Sequence, residues 1–247
     1  MRILRLVLPG LLVSIGFAIS LLAAPAPAAT TPGPPVSLTC PYCGEVKYIA
    51  SIASGNNIGG EWWSDTRSIL PMLPRPSAIQ HCPHCDGYFF YQDAVKTYVR
   101  SADDSILDEV RQNGFGNLSF VQMDKAYSFL GSKELTERQN AIRLREWFLA
   151  FNDVYSARNP SGRQCVPDES AARFAETVAA MLENKEIPAI LKADLYRETG
   201  RFDECLAIAR MIVEEDEDNA LVARQIIKHA EANDTEVFMI ELSDEDD

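Results

Sequence analysis

Histidine and positive charge are both scarce in this chain: 247 residues carry three histidines, and 23 Lys+Arg stand against 36 Asp+Glu, for a formal net charge of −13. So few basic groups exclude the cationic footprint that a phosphate backbone requires, and nucleic acid is not expected as a partner. The shortage of histidine argues against hydrolytic metal chemistry, which keeps an open coordination position and draws mostly on His and carboxylate ligands. His81 and His84 flank a cysteine, where either could ligate a metal or back its ligands, the plainer expectation being that both point to water, while His229 sits beside Lys228 on an expected helix and reads as exposed. No glycine-rich phosphate loop and no nucleophile elbow occur, and nothing brings Cys165 near a histidine, so no catalytic residue is assigned.

What the chain does have is two clips of one design, Cys40-Pro41-Tyr42-Cys43-Gly44 and Cys82-Pro83-His84-Cys85-Asp86-Gly87. In each, a proline-stiffened turn puts two sulfurs on one side of a tight bend, and a glycine just beyond lets the backbone fold back. Two Cys-x-x-Cys pairs separated by a segment able to return as a hairpin match a zinc ribbon, with Cys40, Cys43, Cys82 and Cys85 as ligands to one structural zinc ion. Two other readings stay open. Cys-Pro-Tyr-Cys resembles the glutaredoxin active site and Cys-Pro-His-Cys that of periplasmic thiol oxidases, which makes an exported thiol-disulfide oxidoreductase the alternative function. Against it, the residues after Cys43 alternate like a strand, whereas a redox cysteine opens a helix whose N-terminus lowers its pKa. The clips also suit plain structural disulfides of an exported domain.

The N-terminus bears on that choice. Arg2 and Arg5 precede an uncharged run over residues 6–24, and Ala26-Pro27-Ala28 offers an Ala-x-Ala cleavage site, so residues 1–28 read as a signal peptide or an uncleaved membrane anchor. No lipobox cysteine is present. Either outcome places the remainder outside the cytoplasm, periplasmic or secreted, touching membrane only through an uncleaved leader. Loss of the leader would make the chain two charges more negative.

Composition divides the rest of the chain. Residues 29–37 are a Pro/Ala-rich tether in which no central strand is expected. The ribbon spans 38–99, with a first strand over 46–52 expected to pair with the aromatic run Gly87-Tyr88-Phe89-Phe90-Tyr91. Between the clips, Gly/Asn-rich and Pro-rich stretches bracket Glu61-Trp62-Trp63-Ser64-Asp65-Thr66-Arg67, a decorated loop. Trp62, Trp63, Asp65 and Arg67 are the candidate partner-binding residues, with Asp65 and Arg67 expected to pair; the bland alternative is that both tryptophans are core in a domain too small to have much else.

Residues 100–236 are expected to form a helical domain, the helical pattern setting in at about Asp103. Thr136-Glu137-Arg138-Gln139 is a capping box, and Leu144, Trp147, Phe148, Phe151 and Tyr155 recur every three or four residues as a stripe that must be buried. Pro167 and Pro188 open two further helices. The segment Leu195-Tyr196-Arg197-Glu198-Thr199-Gly200-Arg201-Phe202-Asp203-Glu204-Cys205-Leu206 resembles the centre of a tetratricopeptide repeat, with Gly200 at the turn and Cys205 at the small position where the helices touch; Ile212 and Glu217 depart from the repeat's preferences. Residues 237–247 read as an acidic, solvated tail.

Taken together, the paired clips, Asp65-Thr66-Arg67 and the tetratricopeptide-like helices resemble an uncharacterised bacterial family classed as a domain of unknown function, over about residues 38–230. The resemblance implies a zinc ribbon preceding such helices and implies no activity. The fold class expected is α+β, a small β zinc ribbon followed by an all-α helical-hairpin domain, and the expected function is a non-catalytic scaffold whose helical half binds another protein.

Overall fold

The structure is a computed structural model that describes residues 30–162 and 164–242. The leader and residues 243–247 lie outside the described residues, among which no helix is long and apolar enough to cross a membrane.

Alternation of buried and half-buried residues along Val-Ser-Leu-Thr makes β2 (Val36–Thr39), and the same alternation makes β3 (Val46–Ile49). They form an antiparallel hairpin in the register Val36↔Ile49 to Thr39↔Val46, closed by the first clip. The second clip likewise closes β7 (Ile79–His81) onto β8 (Tyr88–Phe90), with His81 opposite Tyr88. The expected pairing of 46–52 with 87–91 therefore does not form. Each clip reverses the chain within itself: the Cys40 N–H donates to Glu45 O and the Cys82 N–H to Gly87 O, both at 2.8 Å. Loop closure over a few residues costs less entropy than closure over some forty, so each strand takes its neighbour across the clip.

The tether also behaves otherwise than expected. β1 (Thr31–Pro32) pairs with β4 (Ile52–Ser54), and β2 is the central strand of a sheet with β3 on one side and β9 (Val95–Tyr98) on the other. Pro34 and Pro35 stop just short of β2, and Pro32 sits in a two-stranded pair, positions where a missing donor is tolerated. Between the two clip hairpins, β5 (Glu61–Trp62) and β6 (Ser68–Ile69) form a small hairpin of their own.

Among the described residues seven α-helices follow: α1 (Asp104–Asn113), α2 (Phe120–Gly131), α3 (Glu137–Tyr155), α4 (Asp168–Glu183), α5 (Ala189–Glu198), α6 (Phe202–Glu215) and α7 (Glu217–Glu231). The architecture is thus α+β, small antiparallel sheets followed by a helical region. The caps set the boundaries. Thr136 and Gln139 complete a reciprocal capping box, as do Ser119 and Gln122. Gly200, at φ +74°, ends α5: its N–H reaches Arg197 O and the next N–H, of Arg201, reaches Tyr196 O, the two bonds of a Schellman motif. α5 and α6 pack as a helical hairpin with Cys205 wholly buried at their contact, where burial pushes its thiol up to about 11.

The hairpins and helices are not separate bodies. Ile79, Tyr88 and Phe90 share one core with Met123, Ala126 and Leu130 of α2 and with Trp147 and Phe151 of α3, so the α3 stripe is covered in part by the second clip's own strands. The sheet's other core, Val36, Leu38, Ile49, Phe89 and Ala94, is small and completed by Cys40 and Cys82. The segment expected as a solvated tail is docked as well. Val237 and Ile240 are buried, Ser64 N–H donates to Phe238 O at 2.9 Å, and Ile240 N–H donates to Trp62 O at 2.6 Å, clasping residues 237–241 onto the β5–β6 hairpin.

Candidate metal centre

The two clips meet tip to tip. Cys40 and Cys82 are buried, Cys43 and Cys85 exposed, and all four Sγ atoms lie within 4.8 Å of one another. The cross-clip pairs Cys40–Cys85 and Cys43–Cys82 stand at 3.8 and 3.7 Å. A disulfide needs about 2.0 Å. A tetrahedral ion with bonds of about 2.3 Å separates its sulfurs by about 3.8 Å, so the spacing fits a four-thiolate metal site.

Backbone donors support the same reading. The N–H of Glu45 points at Cys43 Sγ, those of Cys85 and His84 at Cys82, and that of Gly87 at Cys85. Such bonds favour thiolates. Burial opposes ionisation of Cys82, but its backbone donors and the neighbouring sulfurs bring it down to about 7. At Cys43 the Glu45 donor pulls down, yet desolvation and the three other sulfurs together push the thiol up to about 12. Four thiols this close cannot all ionise against one another, and a shared cation resolves that conflict.

The geometry of each turn explains the clip sequences. Gly44 adopts φ +77°, and the residue at the same place in the second clip is Asp86, at φ +56°, not the glycine after it. An acidic residue tolerates this left-handed conformation better than most. Gly87 serves a different need, since a Cβ there would come within 3.3 Å of Cys85 Sγ and Tyr42. Neither histidine joins the sulfurs. His84 is exposed, and His81 Nε2 pairs with Asp86 Oδ1 at 2.7 Å. His229, expected on the surface, instead stacks on Phe238 at 3.7 Å and bonds Asp234.

No protein-family model, curated protein or solved structure matches the chain.

Sequence reasoning missed Lys47. Its Nζ is buried beneath the second clip and donates to His81 O at 3.0 Å, close enough to Cys82 to feel its charge. A buried ammonium beside the four-sulfur cluster favours thiolate over thiol there. Its only signal was a lysine on the inward phase of an alternating strand.

The candidate partner-binding residues are turned to internal use. Asp65 is fully buried and accepts from Arg158 Nη1 at 2.8 Å through both oxygens and from Asn152 Nδ2 at 3.0 Å. Arg67 does not form the expected side-chain pair with it. Only the Arg67 backbone N–H reaches Asp65, at 3.1 Å, while the guanidinium binds Asp153 at 2.8 Å. Trp62 and Trp63 are half-buried, Trp63 near the Arg158 guanidinium. Beside this pair, Arg197 binds Asp194, Ser64 and the carbonyls of Asp234 and Glu236. The adjacent Glu198 carboxyl is pushed well up, first by burial and then by the charges of Asp194 and Asp65. Three carboxyls, of Asp65, Asp194 and Glu198, face two guanidiniums, of Arg158 and Arg197, so one protonated carboxyl leaves the group without a net buried charge, and Glu198 is the one that burial and its neighbours push up most.

Proposed function

We propose that the chain is an exported, zinc-binding, non-catalytic interaction protein, in which Cys40, Cys43, Cys82 and Cys85 hold one structural zinc ion and the helical region offers a surface to a partner protein. The observation that carries the reading is the four-sulfur cluster, with sulfurs at tetrahedral spacing and backbone N–H groups directed at them. Four thiolates and no open position make a closed set that supplies folding free energy and no reactive water. The hairpin setting of both clips speaks against the thiol-disulfide reading, because no helix N-terminus lies behind either first cysteine. Export rests on the leader sequence.

Metal content of anaerobically purified protein, measured with a thiol titration, tests the central claim. About one zinc per chain with four protected thiols is expected. Metal-free protein with a disulfide reducible at an ordinary redox-enzyme potential overturns it. Fusion of residues 1–40 to a reporter active only outside the cytoplasm tests export, which an inactive reporter would refute.

A further inference from the structure

The β5–β6 hairpin, the proline-rich segment 71–76 and α3 enclose a cleft of about 630 Å³, a size that suits a small organic ligand. Part of its wall is apolar: Leu70, Leu73, Leu118, Met123 and Leu149. The rest is charged, and unevenly so. Asp153 also lines the cleft, but its two oxygens are committed to Arg67 and Arg158. Arg145 donates to the Thr66 hydroxyl at 3.3 Å and has no carboxylate in salt-bridge contact among the described residues; Arg75, exposed at the rim, has none either. Glu146 has no hydrogen-bond partner among the described residues, and burial pushes its carboxyl up against the pull of Arg145 and Arg67. A cleft with two guanidinium groups free of a carboxylate salt bridge among the described residues is conspicuous in a chain of net charge −13.

The backbone gives a second sign. Thr66 holds φ +68°, a left-handed conformation that a β-branched residue adopts only under strain. Its hydroxyl is the group that Arg145 grips. Such strain concentrates where a side chain must be held in one place for function.

The geometry points to a binding site for a small carboxylate with an apolar body: its carboxylate meets the Arg145 guanidinium, the Glu146 carboxyl lies alongside, Arg75 draws the anion in from the rim, and the apolar body lies against Leu70, Leu73 and Leu149. A planar guanidinium receives a carboxylate through two parallel N–H donors, which favours this head group. The same chemistry is carried by a free aliphatic acid and by the C-terminus of an apolar peptide.

Calorimetric titration of the full chain distinguishes them. The probes are octanoate, octanol, and N-acetylated trileucine as free acid and as amide. Saturable binding of at least one acid with Kd below about 1 mM is expected, with its uncharged counterpart at least about tenfold weaker. Octanoate binding alone assigns the aliphatic acid, and binding of the peptide acid over its amide assigns a C-terminus. Arg145→Gln, checked by circular dichroism to be folded, should weaken the bound acid at least about tenfold, whereas Glu146→Gln, which keeps the side chain's shape and polarity, should not weaken it by more than about threefold. No saturation by either acid up to about 10 mM overturns the proposal, as does equal binding of acid and uncharged counterpart in the wild-type chain or unchanged binding by folded Arg145→Gln.

Discussion

Removing the Asp65 carboxylate should cost more than any other single change in the inter-clip loop. Asp65 is fully buried, and its oxygens accept from Arg158, Asn152 and the Arg67 backbone. The Arg158 side chain is only 2% exposed, so in Asp65→Ala its guanidinium stays inside with Asp153 as its one carboxylate contact among the described residues. Breaking a buried ion pair from one side typically costs about 3–5 kcal/mol. Because Asp153 persists and is one-third exposed, the lower end applies, about 3 kcal/mol. For a chain of this length that corresponds to a fall in Tm of about 6–12 °C. Urea and thermal unfolding of zinc-loaded protein, followed by far-UV circular dichroism, measure both. The double variant Asp65→Leu/Arg158→Met removes both charges and should recover at least half of the loss, since apolar replacement of a whole buried pair is often neutral. A single-variant loss below about 1 kcal/mol, or a double-variant loss equal to the sum of the singles, would refute this account of how the loop is held.

Chelation of the metal, or Cys82→Ser, should lower tryptophan fluorescence and helical signal in one shared transition, because Ile79, Tyr88 and Phe90 belong to the same core as α2 and α3; two resolved transitions would contradict it. Gly44→Ala should destabilise by about 1 kcal/mol through the backbone alone, since no atom lies within 4 Å of the added Cβ, while Gly44→Asn should cost clearly less; equal losses in a denaturant titration would show that the left-handed turn is not the reason for the glycine. For Glu198 the folded-state pKa is raised, so the folded chain holds a proton that the unfolded chain has already released above the ordinary value of 4.5. Its contribution is full below that value and is lost as pH rises, by at most about 1.4 kcal/mol per pH unit, until the folded form ionises. Glu198→Gln should flatten that slope in stability measured from pH 5 to 7, and an unchanged slope would rule out a neutral Glu198.

Much of the local structure was legible because its causes are local. The clips announce paired cysteines by spacing, Thr136 and Gln139 announce a helix start, and Gly200 announces a helix end, each through groups a few residues apart. The partners of those elements were not. That each clip closes its own hairpin follows from hydrogen bonds within the clip, which residue types do not reveal. Asp65 and Arg158 are 93 positions apart and look like surface charges, the default for such residues; only their mutual burial makes them structural. The cleft was invisible for the same reason, being walled by an arginine on α3 and a proline-rich loop that no periodicity connects.

The clasp between Ser64 and Phe238 has a consequence for synthesis. These residues are 174 positions apart. At about 5–20 residues per second, the β5–β6 hairpin waits roughly 9–35 s after its own translation before the strand that covers it exists. For roughly the first half of that interval Asp65 also lacks Arg158, 93 positions further on, and throughout it the half-buried tryptophans lack their cover. A nascent chain would therefore present this hairpin to chaperones and proteases until its late segment arrives, and any truncation before residue 237 would leave that exposure permanent.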